Sequence, residues 1–299
     1  MAILCRRAHA GDLQHAGELV VASINDLCRR HGFGPIATVR PPTFPMFCLH
    51  DDPDGLWVAE EGGEILGFAF SWVCGGLWFL AQLFVAPGQQ ARGLGGELLR
   101  RTLEHAEKSN AAIKGLITFS FNNVSQGLYI RHGLFPRCPI YNFGVPRSAL
   151  TRKVQGERLR CVPMESTAAH HQLLAEIDVS VLGLSRGKHH GFLAADGVTR
   201  GVLLYAGHEC IGYAYTCEGH IGPLAVTRHA LLGAAFRTAL DLAAESGGPQ
   251  VSAFIPGASE TALRLAVEVG MRITTPMVLM ATKEFGDWAR YLPRNPGFV

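Results

Sequence analysis

The chain is poor in charge: Asp, Glu, Lys and Arg make up 17% of its 299 residues, against about a quarter in an ordinary soluble protein. The two signs nearly cancel, 27 basic residues against 25 acidic, leaving a net charge of +2. Without a basic field there is little to grip a phosphate backbone, so no nucleic-acid partner is expected. Long apolar runs are missing as well. The longest, residues 77–85, is interrupted by Gln82 and falls far short of the ~20 residues of a spanning helix, so no membrane partner is expected. The opening Met1-Ala2-Ile3-Leu4-Cys5-Arg6-Arg7 breaks its apolar residues with two arginines and has no small-residue cleavage site, unlike a secretory leader. The eight cysteines form no CxxC and the thirteen histidines no HxxxH or HExxH. No metal is therefore expected, and the scattered thiols read as reduced core fillers of a cytoplasmic protein.

What the chain does have is apolar material, 48% of its residues, and 35 glycines. Its length suggests two domains, and a repeat supports that. Leu66-Gly67-Phe68-Ala69-Phe70-Ser71 returns as Ile211-Gly212-Tyr213-Ala214-Tyr215-Thr216. Each copy stands after a glycine-containing turn and an earlier apolar run, the layout of a hairpin. A further strand follows, ending near Val85 and Val226, and then an amphipathic helix. In the first copy Leu94, Leu98, Leu99, Leu103 and Ala106 line one face of that helix, with Glu97–Arg101 and Glu104–Lys108 as pairs on the other. Both halves continue with a strand (115–119 and 251–255) and a short helix closed by Gly133 or Gly270 at the C′ position. A last strand, around 135–145 and 273–283, is expected to close each unit. Front helices are expected over 13–30 and 167–182, and a polar joint over 146–156.

Between Val85 and the next helix stands Ala86-Pro87-Gly88-Gln89-Gln90-Ala91-Arg92-Gly93-Leu94-Gly95-Gly96. Glycines without a Cβ let backbone N–H groups approach an anion, and the helix N-terminus adds partial positive charge, so the stretch reads as a pyrophosphate cradle. A Walker A loop would need Lys and Ser or Thr after the last glycine, and a dinucleotide fingerprint a third glycine at 98, where Leu98 stands. Gln90-x-x-Gly93-x-Gly95 instead resembles the [Q/R]-x-x-G-x-[G/A] signature of the GNAT superfamily of acyl-CoA-dependent N-acetyltransferases. Asn122-x-x-Ser125-x-x-Leu128-Tyr129-x-x-x-Gly133-Leu134 is similar to that superfamily's N-x-x-A-x-x-L-Y-x-x-x-G-F segment, with Ser125 and Leu134 as mild departures.

The resemblance implies an α/β (α+β) chain of two tandem GNAT folds, each a mixed, mainly antiparallel sheet flanked by helices. The domains would be a catalytic acetyl-CoA-binding one over 1–148, a degenerate GNAT-like one over 157–288, and a tail over 289–299. It implies acetyl-CoA as co-substrate. Main-chain groups of Leu83, Phe84 and Val85 would hold the pantetheine arm and polarise the thioester. N–H groups of Gln90, Ala91, Arg92, Gly93, Leu94, Gly95 and Gly96 would take the pyrophosphate, and Asn122 and Ser125, which open the helix that carries Tyr129, would also belong to the cofactor-binding residues. Tyr129 would donate its phenolic proton to the departing thiolate, a phenol (pKa ~10) being protonated where a thiol (pKa ~8.5) begins to ionise. Its alternative is a packed amphipathic residue. No general base is legible, because residues 79–87 carry no acid; Gln82 holding a water, Glu60, His50 or a residue of the second half are the options.

The second copy lacks this chemistry. Val226 follows Val85 by 141 positions but Leu240 follows Leu103 by 137, so four residues are missing at the cradle. Tyr129 aligns with Ala266 and Asn122 with Ser259. Asp178-x-x-x-x-Gly183-x-Ser185-Arg186 and His220-Ile221-Gly222-Pro223-Leu224 resemble the C-terminal domain of a tandem-GNAT family, where an Asp usually stands at the position of Ser185. Asp178 and Arg186 would either line an acceptor site or, the favoured reading, form a buried pair. The tail is left undecided between packing and disorder. The expected activity is transfer of an acetyl group to a primary amine of a small molecule, by direct attack on the thioester, in a monomer or homodimer. The alternatives are a non-catalytic acyl-CoA sensor and a protein N-acetyltransferase.

Overall fold

The computed structural model describes residues 3–151 and 155–299; part of the expected joint lies outside them. The chain divides into two units. One lies within Met1–Ile117, Phe121–Phe135 and Ala281–Lys283, the other within Thr118–Ser120, Pro136–Met280 and Glu284–Val299.

The first unit begins with β1 (Leu4–Arg7), α1 (Leu13–Arg30) and α2 (Thr43–Asp51), followed by β2 (Leu56–Glu61), β3 (Glu64–Cys74) and β4 (Leu77–Val85). Then come α3 (Leu94–Lys108), β5 (Ile113–Phe119) and α4 (Asn123–Arg131). The strands lie in the order β1-β2-β3-β4-β5. Each pair is antiparallel except β4 with β5. Gly62 and Gly63 take the two positive-φ positions between β2 and β3, which a two-residue hairpin turn requires. On α1, Leu13, Ala16, Val20 and Leu27 recur on one buried face. On α3, Leu94 and Leu98 pack with Ala59, Leu66 and Ala69 of the sheet. The outer face of α3 carries the Glu97–Arg101 pair at 2.9 Å. Glu104 and Lys108, expected to pair with each other, have other partners: Glu104 pairs with Arg100 and Lys108 with Asp54. The guanidinium fork of Arg100 spans Glu97 and Glu104 together, which an ammonium cannot do.

The second unit takes β6 (Phe135–Pro146), β7 (Arg160–Pro163), α5 (Ala168–Leu182), α6 (Gly187–Ala195), β8 (Arg200–Ala206), β9 (Glu209–Cys217) and β10 (His220–Val226). It continues with α7 (Leu232–Glu245), β11 (Gln250–Pro256), α8 (Glu260–Glu268), β12 (Arg272–Ala281) and the short β13 (Tyr291–Leu292). Its sheet runs β12-β6-β11-β10-β9-β8-β7, with β13 also on β10. The β10–β11 pair is parallel. Each unit thus has a mixed, mainly antiparallel sheet with helices packed on it.

The strand expected to close the first unit also differs. The strand over 135–146 does not close the unit that precedes it. It pairs antiparallel with β11, from Gln250↔Pro146 to Pro256↔Ile140, and residues 136–146 belong to the second unit. A free strand edge accepts any extended segment through backbone groups alike in every residue, so the side-chain pattern of β6 could not name its partner. The tail, left undecided by its composition, is packed: Tyr291, Leu292, Phe298 and Val299 are buried.

Candidate active site

The site residues picked from the sequence come together where β4 ends. Hydrogen bonding of β4 to β5 runs only from Leu77↔Ile113 to Leu80↔Leu116, although both strands continue beyond. Past Leu80 the two part, helped by an irregularity in β4 that leaves Ala81 without a partner in β3. On the other edge, β4 stays in register with β3 through Leu83↔Ala69, Phe84↔Phe68 and Val85↔Gly67. The Ala86 N–H bonds to the Leu66 carbonyl at 2.9 Å, and peptide groups alternate in direction along a strand. The main-chain groups of Leu83 and Val85 therefore face the gap.

After Val85 the backbone makes three left-handed steps, at Gly88 (φ 84°), Ala91 (φ 66°) and Gly93 (φ 81°). Gly93 is the N-cap of α3. The first helical bond runs from the Glu97 N–H to the Gly93 carbonyl at 3.1 Å. The N–H groups of Leu94, Gly95 and Gly96 consequently have no partner inside the helix and stand at its positive end. A Cβ placed on Gly93 or Gly96 would meet no protein atom within 4 Å. Packing within the protein does not explain glycine at Gly96, and the position leaves room for an anion to approach the helix N-terminus. Gly95 ties the parts together: a Cβ there would lie 3.8 Å from Val85 and 4.0 Å from Leu128 of α4. Gln90 is exposed. The Arg92 side chain bonds Gln89 at 2.5 Å and Glu61 at 3.3 Å, which leaves its main chain to the loop.

Asn122 caps α4, its side chain accepting from the Ser125 N–H at 3.2 Å. One turn on, Tyr129 is buried and its phenol is hydrogen-bonded to the Ser125 side chain. Burial pushes that phenol well above its ordinary pKa, with the Ser125 bond a smaller opposing effect. The group therefore stays protonated and available as a donor. Gly133 (φ 77°) ends the helix as expected, with the Leu134 N–H returning to the Tyr129 carbonyl.

Of the candidate bases, Glu60 is already committed, accepting from Arg6 Nε at 3.0 Å and Nη2 at 2.6 Å. His50 is exposed on α2. Gln82 pairs with Phe70 on β3, so its side chain shares the sheet face of Phe70, against which Phe44 of α2 packs. Two groups escaped sequence reasoning. Ser23 of α1 donates to the Val85 carbonyl at 3.1 Å, but 62 positions separate the two and no motif marks either. The buried His105 bridges Ser71 at 3.0 Å and Asp52 at 2.7 Å. Ser71 is fully enclosed and also donates to the Gly55 carbonyl. That chain of three, hydrolase-like in composition, pins the turn at 53–55 to the sheet.

In the second unit, Asp178 and Arg186 form the buried pair, joined at 3.0 and 3.2 Å. Tyr213 donates to Asp178 at 2.6 Å, His190 bonds it at 3.0 Å, and Arg186 donates to Tyr291 at 2.7 Å. Burial, the largest single influence, would raise the Asp178 carboxyl, but the Arg186 charge and the hydrogen bond from His190 outweigh it and hold the group far below the usual range. Among the described residues no group of three or more His, Cys, Asp or Glu could hold a metal ion, and no helix is long and apolar enough to cross a membrane.

Residues 22–134 match the model of the Acetyltransferase (GNAT) family. An uncharacterized N-acetyltransferase of Archaeoglobus fulgidus is 33% identical over 78 residues, 23% of this chain and 51% of that protein; the chain thus spans about half that relative's length. A solved chain from Pyrococcus horikoshii superposes with a TM-score of 0.78 at 18% identity, over 99% of this chain and 96% of that one. A tandem GNAT protein from the clavulanic acid biosynthesis pathway does so with a TM-score of 0.63 at 14% identity, over 94% and 97%. At such identities the superpositions speak for the fold alone.

Proposed function

We propose that this chain, whose residues 22–134 match the GNAT acetyltransferase model and which carries the tandem GNAT fold, is a GNAT enzyme whose first unit transfers an acetyl group from acetyl-CoA to a primary amine of a small molecule. The observation that carries this reading is the open N-terminus of α3 beside the gap in β4, where an added Cβ at Gly93 or Gly96 would meet no protein atom. When bound, acetyl-CoA would supply the activated thioester. The peptide groups of Leu83 and Val85 would hold the extended arm as a neighbouring strand does. The free N–H groups of residues 94–96 would take the diphosphate. Ser23 keeps the Val85 carbonyl fixed, a positioning role. Tyr129 holds a proton at its phenol oxygen for the departing sulfur. Desolvation raises thiol and phenol pKa values together, so transfer between them stays feasible in a buried place.

No carboxylate stands on residues 79–87, and Glu60 is tied to Arg6. In this reading the amine enters as its free base. Then kcat/KM climbs about tenfold per pH unit until the amine's own pKa is passed. The same missing carboxylate favours the second reading, an acyl-CoA sensor that does not turn over. Thiol release from acetyl-CoA against a panel of primary amines separates the two. We expect turnover with at least one amine, and a loss of roughly 100-fold in kcat for Tyr129→Phe at unchanged coenzyme A affinity. Binding without turnover on every amine would favour the sensor.

A further inference from the structure

The second unit repeats the gap of the first and fills it. In the first, parallel pairing ends at Leu80↔Leu116; in the second it ends at Ile221↔Ala253, the aligned residues. The antiparallel register also repeats, with Leu224↔Ala214, Ala225↔Tyr213 and Val226↔Gly212 standing for the pairs made by residues 83–85. Even the closing bond recurs, from the Thr227 N–H to the Ile211 carbonyl at 2.8 Å. The main-chain groups of Leu224 and Val226 therefore face the gap, as those of Leu83 and Val85 do. Here they are taken. Leu224 pairs with Leu292 and Ala225 with Tyr291, and the Val226 N–H donates to the Arg290 carbonyl at 3.1 Å.

We propose that residues 290–292 are the built-in occupant of the second unit's acyl-donor cleft, a peptide strand standing where the first unit would hold the arm of coenzyme A. The proposal rests on the assignment of the β4 gap to that arm. Two features fix the segment in place independently of its pairing with β10. Tyr291 is fully buried and accepts from Arg186, which is itself held by Asp178. Ser259, aligned with the helix-capping Asn122, makes no cap; its hydroxyl donates to the Trp288 carbonyl at 2.8 Å. The strand has also adapted to a close neighbour. A Cβ on Gly222 would lie 2.6 Å from the Pro293 carbonyl oxygen and 2.9 Å from the Arg294 Cα, so only glycine lets the two backbones approach this closely. The same unit has lost four residues of its anion loop, and the segment occupies a cleft with no phosphate site to serve.

Hydrogen–deuterium exchange on the intact chain, with and without coenzyme A, tests this. In the free protein, peptides covering 222–227 and 289–293 should exchange slowly, by about 100-fold or more relative to an unstructured chain. Coenzyme A should leave them unchanged while slowing peptides covering 83–85 and 90–96. Fast exchange at 222–227 in the free protein, or slowing there on addition of coenzyme A, would overturn the occupant. Slow exchange at 222–227 with no response at 83–96 would instead remove the donor-site assignment, and with it the meaning given to the segment.

Discussion

The two units part the same pair of strands at the same aligned residue, Leu80 in one and Ile221 in the other, and differ in what comes next. In the first, the strand leads into a glycine loop and a helix start with free N–H groups. In the second, four residues are gone and the helix begins from a turn over His229–Leu231 with no side-chain cap. One glycine makes the contrast concrete. Gly96 faces open space, whereas its counterpart Gly233 has Thr261 of α8 at 3.2 Å from where a Cβ would stand. Under the proposed function the same residue type serves approach by a ligand in one unit, while in the other it serves packing of two helices. A fold keeps its strand geometry while loop and side chains decide whether it carries chemistry.

The largest effect expected from breaking this contrast lies in the second unit's buried charges. Asp178→Ala leaves the Arg186 guanidinium enclosed without its partner, and should cost about 3–5 kcal/mol of stability, read from chemical denaturation. Loss of that size separates scaffold from catalyst, since Tyr129→Phe should leave the denaturation midpoint nearly unmoved.

Acid should sharpen the same division. Burial holds His189 and His190 below the ordinary histidine value and His220 at about 4. Unfolded histidines take up protons near pH 6.5, so between there and about 4 the unfolded chain binds more protons than the folded one. Stability must fall as pH drops through that window. The depressed Asp178 pKa works in the same direction lower down: its contribution is complete above about pH 4 and is lost as pH falls toward its folded value. Exchange protection of second-unit peptides, followed from pH 7 to 4, should weaken steadily; protection that holds or grows would refute the assignment of buried neutral histidines.

The smallest effect compares the two glycines. Gly96→Ala should gain up to about 1 kcal/mol in stability, as alanine does inside a helix, yet weaken coenzyme A binding. Gly233→Ala should forfeit that gain to the contact with Thr261 and leave coenzyme A affinity alone. Thermal melts and coenzyme A titrations of both variants check this.

Much of the arrangement was legible in the residues. Spacing of Leu94, Leu98 and Leu99 gave α3, the glycines gave the helix entry, and the shift in alignment from 141 to 137 located the lost loop. Three features were not. The partner of β6, the acceptor of the Ser23 hydroxyl and the strand pairing of residues 290–292 each involve backbone groups, which every residue shares and no side-chain pattern encodes. Asp178 and Arg186 fall between. Their charges announced a pair, but Tyr291, which completes it from 105 positions beyond Arg186, carried no such mark.

Coenzyme A stoichiometry, by equilibrium dialysis of the wild-type chain and Gly93→Glu, decides whether the chain has a single donor site, at the start of α3. A glutamate there would strain a left-handed backbone position and set a carboxylate where the diphosphate is to bind. One coenzyme A per wild-type chain is expected, and none for the variant. Two per chain, or one retained by Gly93→Glu, would contradict that single donor site.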